Sequence, residues 1–119
     1  MDQGRNKKLG AWGEEQACRF LARKGYTVVD RNFYTTQGEI DIVATKGGDY
    51  YFVEVKTRAA GDLATDLAVT ERKKYKLQKT VKRYCYERNV TTGSFILASL
   101  MVVFERATKE VDFRLAVIF

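Results

Sequence analysis

Three side chains that could carry out phosphate chemistry occur in two neighbouring β-rich stretches of the chain. Glu54 and Lys56 alternate with Val53 and Val55, so on a strand Glu54 and Lys56 point to one face and the two valines to the other. Asp41 lies in the preceding stretch. Hard cations such as Mg²⁺ and Mn²⁺ bind through one or two carboxylates plus substrate phosphate. The pattern therefore predicts a divalent-metal site that acts on a phosphate ester.

The turn between the two stretches brings the carboxylates together. Residues 46–49, Lys-Gly-Gly-Asp, give a strong hairpin signal. A register that pairs Lys46 with Asp49 also places Asp41 directly opposite Glu54, an arrangement of like charges that destabilises an ordinary sheet. Strict alternation predicts that Asp41 points away from one shared face, which holds Ile40, Ile42 and Ala44.

A fourth acidic residue is predicted to join from the first helix. Glu14 lies at the border of that helix's buried face, whereas Glu15 is expected to point to solvent beside Arg19. Gly10 and Gly13 cost roughly 1 kcal/mol each against Ala, so we interpret them as allowing close approach of a backbone or ligand.

The predicted catalytic set is Glu14, Asp41, Glu54 and Lys56. In it, the three carboxylates bind Mg²⁺ or Mn²⁺, and Lys56 orients an attacking water or offsets the charge of a phosphate. The simpler alternative is that Lys56 and Arg58 neutralise two surface carboxylates.

The elements that must position these residues fit one domain over residues 1–119, in the order α-β-β-β-α-β-β. We therefore expect an α/β fold in which a mixed sheet is flanked by two helices. Thr70 is predicted to be the N-cap of the second helix, whose inner stripe is Leu77, Val81, Tyr84 and Cys85. The predicted helices are 7–24, ending at Gly25, and 70–89; the strands are 26–33, 38–45, 50–58, 94–105 (taken as central) and 111–119, with a loop over 59–68.

Composition removes several chemistries. The chain has no His, which excludes a Ser-His-Asp triad and a His-ligated zinc site. Two cysteines, Cys18 and Cys85, cannot form a four-thiolate zinc site and are interpreted as small core residues. A polar N-terminus and an apolar run, 95–104, of about half the ~20 residues of a membrane span lead us to expect a cytoplasmic protein without membrane contact.

The second predicted helix carries the positive charge. It holds eight basic and two acidic residues, in a chain whose net charge is +6, with Tyr75, Tyr84 and Tyr86 interleaved. Such a surface could bind nucleic acid without sequence preference, and the alternative is a solvated basic face. The predicted nucleic-acid-binding residues are Arg58, Arg72, Lys73, Lys76, Lys79, Lys82 and Arg83.

Four motifs resemble the YraN family of bacterial proteins over nearly the whole chain. They are Gly13-Glu14-Glu15, Gly38-Glu39-Ile40-Asp41, the stretch from Phe52 to Arg58 (Phe-Val-Glu-Val-Lys-Thr-Arg), and Val69-Thr70 before a Lys-rich helix. The family is grouped with the PD-(D/E)XK nuclease superfamily, close to archaeal Holliday-junction resolvases. The resemblance implies a restriction-endonuclease-like fold in which Asp41 and Glu54 bind the metal and Lys56 serves the hydrolytic water. Glu14 would match the helix-borne Glu of the resolvases.

The function expected from residues and resemblance together is metal-dependent hydrolysis of DNA phosphodiester bonds, including those of branched or damaged DNA. The alternative is a non-catalytic nucleic-acid-binding module on the same fold. A protein-interaction role, or a homodimer paired through an exposed C-terminal strand, is left open.

Overall fold

Five strands form one mixed sheet that carries a helix on each face. The computed structural model describes residues 3–61 and 70–118, with side chains from residue 7 onward. The elements are α1 (Gln3–Arg23), β1 (Thr27–Thr35), β2 (Gly38–Lys46), β3 (Asp49–Ala59), α2 (Glu71–Arg88), β4 (Phe95–Phe104) and β5 (Val111–Val117). This order and the mixed α/β class confirm the prediction.

The strands lie side by side in chain order, β1-β2-β3-β4-β5. All neighbours are antiparallel except β3 and β4, which run parallel from Tyr50↔Phe95 to Ala59↔Phe104. A parallel pair requires a crossover connection, and α2 lies within it. The middle strand is therefore β3, and β4, which was predicted to be central, lies beside it.

Alternation along the strands divides the core into two clusters. Ala17 and Leu21 of α1 pack on one face of the sheet, and Val81 and Tyr84 of α2 pack on the other. The sheet supplies Ile42, Ala44, Val53, Ala98, Leu100 and Val102 to the α1 cluster, and Phe33, Ile40, Val43, Phe52 and Leu97 to the α2 cluster. Neighbouring residues such as Phe52 and Val53 thus point to opposite faces, as a period of two requires.

The predicted inner stripe of α2 is correct but incomplete. Val81 and Tyr84 are buried, Leu77 and Cys85 are half-buried at the cluster's margin, and Thr80 is fully buried with them. The Thr80 hydroxyl donates to the carbonyl of Lys76 (2.9 Å), so the side chain is buried without an unsatisfied donor. Cys18 is likewise half-buried, at the margin of the α1 cluster.

Local signals at the element ends are also confirmed. The Thr70 hydroxyl accepts from the amide of Lys73 (3.2 Å) at the start of α2, and Asn89 ends that helix in the left-handed conformation (φ 54°). Gly25, after α1, has φ 90°. The predicted loop over 59–68 starts within β3, and its residues 62–68 lie outside the described ranges, as does Phe119 of the last predicted strand.

The alternation predicted for the last strand holds only near its start. Phe113 is half-buried and stacks on Phe20 of α1, with ring centroids 4.5 Å apart. Val117 is 65% exposed because β5 is an edge strand whose last residues lack cover. Within the described ranges, no helix is long and apolar enough to cross a membrane.

Close packing of α1 on β3 depends on the missing side chain of Gly13. A Cβ added at Gly13 would overlap Thr57 Oγ1 and lie 2.9 Å from Thr57 Cβ. This confirms the expected close approach at Gly13, whereas Gly10 has open space around it.

We therefore expect Gly13→Ala to destabilise the protein by about 1–3 kcal/mol, because Thr57 is a short side chain on a strand and cannot move aside. Thermal unfolding measures the change. Gly10→Ala is the matched control in the same helix, and it should be stabilising by up to about 1 kcal/mol from helix propensity alone. Equal melting temperatures for the two variants would contradict this packing.

Candidate functional site

A break in strand alternation surrounds Asp41. The pairs between β1 and β2 pass from Arg31↔Ile42 to Phe33↔Ile40, and Asn32 between them is in the left-handed conformation (φ 54°), which Asn tolerates better than most residues. As a result Ile40 belongs to the α2 cluster while Ile42 belongs to the α1 cluster. The prediction that Ile40, Ile42 and Ala44 share one face is therefore wrong for Ile40. Ile40 and Ile42, two residues apart in β2, thus point to opposite faces of the sheet, which strict alternation does not allow.

The predicted hairpin register is correct up to the site and ends there. The pairs run from Lys46↔Asp49 to Ile42↔Val53, and the next step would join Asp41 to Glu54. Instead, Asp41 Oδ2 accepts a hydrogen bond from the amide of Val55 at 2.7 Å. The carboxylate thus replaces a ladder contact where the two strands separate.

Three carboxylates meet at this point. One oxygen from each of Glu14, Glu39 and Asp41 lies within 4.8 Å of the others. Sequence reasoning predicted Glu14 and Asp41 but missed Glu39, although Glu39 precedes Asp41 by two residues in the same motif. Asn32, the left-handed residue of β1, lies close enough to Glu14 to lower the pKa of that carboxyl group.

Crowding of these groups shifts their proton affinity. Burial, and then a hydrogen bond with Glu39, raise the pKa of Asp41 to about 7, against the opposing effect of the Val55 amide. Burial and the charge of Asp41 raise the pKa of Glu14, although Arg31 and Asn32 act in the other direction. A hydrogen bond between two carboxyl groups requires a shared proton, so the cluster favours a proton or a cation over full ionisation.

The remaining predicted catalytic residues line an adjoining cleft. This cleft of about 340 Å³ is bordered by Glu14, Glu54, Lys56 and Arg58. Lys56 Nζ lies 4.0 Å from Glu54 Oε1, and the Lys56 side chain is only 11% exposed. Glu54 does not join the close carboxylate trio within the described residues, but its charge contributes to the raised pKa of Asp41.

The donor set fits a hard divalent cation. Carboxylate oxygens are the ligands that Mg²⁺ and Mn²⁺ prefer, and two oxygens bound to one Mg²⁺ lie at most about 4 Å apart. Three oxygens bound to one octahedral Mg²⁺ include at least two adjacent pairs about 3 Å apart, so binding would draw the oxygens of Glu14, Glu39 and Asp41 closer than the 4.8 Å within which they lie. Metal binding here would use Glu39 in addition to the predicted ligands, with Glu54 at the border of the site.

The basic residues of α2 occupy its exposed side in two groups. Lys79, Lys82 and Arg83 line a second groove beside the β1–β2 turn. The first half of the helix exposes the other predicted residues, Arg72, Lys73 and Lys76. Arg58 is not with them: it borders the cleft on β3.

One further basic residue and one aromatic residue of α2 contact the sheet instead. Arg88 pairs with Asp30 (3.2 Å), so its charge is partly neutralised. Tyr84, which the sequence placed among the interleaved aromatic residues, is buried against Phe33 and Phe52. The helical period that predicts Tyr84 on the inner stripe also places Arg88, four residues further on, towards the sheet.

The raised pKa of Asp41 predicts a stability change with pH. Between about pH 4 and pH 7 the folded protein keeps a proton that the unfolded chain releases, so the free energy of unfolding falls as pH rises. Asp41→Asn removes the charge and keeps an acceptor for the Val55 amide. Without divalent ions, we expect it to stabilise the protein by more than about 1 kcal/mol at pH 8, and by less at pH 5.

Thermal unfolding in chelator at both pH values measures this change. Asp112→Asn, on an exposed carboxylate of β5, is the matched control and should shift the melting temperature little. Added Mn²⁺ should stabilise the parent protein and leave Asp41→Asn unchanged. An Asp41→Asn variant that is less stable than the parent at pH 8 would contradict the crowding of charges.

Comparison with known proteins identifies the family. A model of the uncharacterised protein family UPF0102 matches residues 13–118. A UPF0102 protein of Syntrophomonas wolfei is 45% identical over 80 residues, covering 66% of this chain and 70% of the relative. One of Clostridium acetobutylicum is 36% identical over 111 residues, covering 92% and 90%. One of Roseiflexus castenholzii is 56% identical over 59 residues, covering 50% of this chain and about half (48%) of the relative. The chain belongs to the UPF0102 family, which confirms the resemblance to the YraN family.

Proposed function

We propose that this protein is a divalent-metal-dependent endonuclease that hydrolyses phosphodiester bonds of DNA, including branched or damaged DNA, in the cytoplasm. The observation that carries the proposal is the convergence of Glu14, Glu39 and Asp41 beside the Glu54–Lys56 pair. A fold seldom crowds three carboxylates unless their charge has a use, because like charges at this range repel.

The reaction class follows from the donor set. In hydrolysis a water oxygen bonds to phosphorus, the ester P–O bond breaks, and the leaving oxygen takes a proton. A Mg²⁺ or Mn²⁺ ion, when bound by the carboxylates, would polarise the phosphate and offset its developing charge. Within the chain, the Lys56 ammonium is placed to donate hydrogen bonds to a phosphate oxygen or to the attacking water. Glu54 forms an ion pair with Lys56 across 4.0 Å, and both side chains border the cleft.

Basic side chains around the cleft support a nucleic-acid substrate. Arg58 borders the cleft itself, and its guanidinium donates to the Thr57 carbonyl (2.9 Å). In the proposed enzyme it would contact a phosphate of the substrate. The exposed basic residues of α2 extend the positive surface beyond the cleft. Such contacts follow the backbone and carry no sequence readout, so the proposed enzyme recognises DNA by charge and shape.

A binding module without turnover is the second candidate, and the exposed basic face of α2 favours it equally. The two candidates differ at the carboxylates, since binding to phosphates gains nothing from acidic groups. A crowded acidic centre beside a lysine is therefore what favours the enzyme.

Loss of Glu54 should separate the two candidates. We expect Glu54→Ala to reduce cleavage by about 10²-fold or more, because the ion pair between Glu54 and Lys56 at the cleft is lost. Binding to DNA in chelator should be unchanged or stronger, since a negative charge is removed. The measurement is cleavage of labelled linear, single-stranded, flap and four-way-junction DNA with Mg²⁺, Mn²⁺ or chelator, alongside binding to the same panel.

The matched control is Glu110→Gln, which alters a carboxylate of the β4–β5 connection, distant from Lys56 in the fold. It should cleave like the parent. Cleavage by Glu54→Ala at the parental rate would overturn the site assignment. Intact binding with no cleavage of any substrate by the parent would favour the binding module.

A further inference from the structure

A groove of about 780 Å³ lies between the β1–β2 turn and the second half of α2. One wall is formed by Tyr34 and Gln37 at the β1–β2 end, and the other by Lys79, Lys82 and Tyr86 of α2. Each wall thus supplies one aromatic ring, and the helix supplies the positive charge. The groove is separate from the cleft that Glu54 and Lys56 border.

The two rings are unusually exposed. Tyr34 is 66% and Tyr86 is 78% exposed, and among the described residues neither ring packs on another aromatic ring. By contrast Tyr84, which precedes Tyr86 by two residues in α2, is only 3% exposed and packs on Phe33 and Phe52. The fold therefore has no use for the rings of Tyr34 and Tyr86, and both remain free to contact a ligand.

The floor of the groove is fixed by contacts between the turn and the helix. Thr35 Oγ1 lies 3.5 Å from the buried Thr80 Oγ1, and the amides of Gln37 and Gly38 donate to Thr35 Oγ1 (3.1 and 3.2 Å). The turn is thereby held against α2. A binding surface that is already formed costs little ordering when a ligand enters.

The groove opens beside the carboxylates. Tyr34 pairs across the strands with Glu39, and directly opposed residues have Cβ atoms about 4.5–5.5 Å apart. Glu39 in turn belongs to the carboxylate trio. The charge of Glu39, followed by burial and the charges of Glu14 and Asp41, raises the pKa of the Tyr34 hydroxyl, as expected for a ring at the edge of that centre.

The charge of the groove suits a phosphate backbone. Lys79, Lys82 and Arg83 face it, and Glu87 offsets only Arg83, with which it forms an ion pair (2.6 Å). Exposed rings beside a net positive groove are the combination that binds single-stranded nucleic acid, because every base offers a face for stacking and every phosphate a charge.

We propose that unpaired nucleotides bind in this groove, with bases stacked on Tyr34 and Tyr86 and phosphates contacting Lys79 and Lys82. Bases within a duplex are already stacked on one another and do not offer their faces, so the groove selects a single-stranded segment. Resting on the proposed function, this assigns as substrate a nucleic acid whose scissile bond adjoins unpaired nucleotides, because Tyr34 of the groove is paired across the strands with Glu39 of the carboxylate trio.

The test is binding of labelled single-stranded DNA, single-stranded RNA and blunt duplex DNA, measured by fluorescence anisotropy in chelator over a range of salt concentrations. Tyr34→Ala and Tyr86→Ala should each weaken single-strand binding about five-fold or more, as expected for one lost stacked base. Their salt dependence should stay at the parental slope, since no phosphate contact is lost. Tyr34→Phe and Tyr86→Phe keep the ring and should bind like the parent.

Two controls separate stacking from charge. Tyr75→Ala removes another exposed ring of α2, 56% exposed and outside the groove. Because that ring lies 4.9 Å from Lys79 Nζ, its loss should weaken single-strand binding less than Tyr34→Ala or Tyr86→Ala does. Lys82→Ala should weaken binding and lower the salt slope by about 0.7. Equal effects of Tyr34→Ala on duplex and single-stranded DNA, or no effect, would overturn the proposal. Comparison of the DNA and RNA arms identifies which backbone the groove prefers.

Cleavage distinguishes this proposal from the proposed function. If the parent cleaves blunt duplex as well as flap DNA, and Tyr34→Ala and Tyr86→Ala cleave both normally, the enzyme stands and the groove proposal fails. If stacking is found but no metal supports cleavage by the parent, the groove proposal stands and the endonuclease does not.

Discussion

Repulsion among the carboxylates around Asp41 is the constraint on which the rest of the site depends. Three acidic oxygens lie within 4.8 Å of one another, and contacts within the chain hold them there. The Val55 amide donates to Asp41, and Gly13 lets α1 approach β3 closely enough to bring Glu14 in. Each contact offsets part of the electrostatic repulsion among the carboxylates, which grows as the groups ionise.

The topology of the sheet explains why this cluster forms where it does. β2 and β3 pair from their hairpin up to Ile42↔Val53 and then separate, while β3 continues in parallel with β4. The separation leaves the Val55 amide available to a side chain. The Asp41 carboxylate takes that position. Ile40 and Ile42, on either side of Asp41, belong to different clusters, so the carboxylates lie where β2 passes from one face of the core to the other.

Two functional surfaces adjoin this centre from different sides. On one, the Glu54–Lys56 pair and Arg58 border a cleft that also contains Glu14. On the other, Tyr34 links Glu39 to the basic groove of α2. In the proposed enzyme the acidic centre thus lies between groups suited to reaction and groups suited to holding the strand.

Local physics determined much of the fold from sequence alone. The helices, the strands, the Gly-Gly hairpin, the Thr70 cap and the left-handed Asn89 depend on contacts between residues a few positions apart, so their signals are readable in order along the chain. The hairpin register is of this kind. It correctly brought the stretch containing Asp41 next to that containing Glu54.

Only the tertiary structure decided which side chains meet at the site. Glu39 lies with Glu14 and Asp41, and Asp41 accepts from the Val55 amide instead of pairing opposite Glu54, because α1, β1 and β3 converge there. Likewise only the packed structure shows Tyr34 and Tyr86, which are far apart in sequence, on the two walls of one groove. These outcomes depend on contacts between residues distant in sequence, and such contacts exist only once the sheet and its helices have packed.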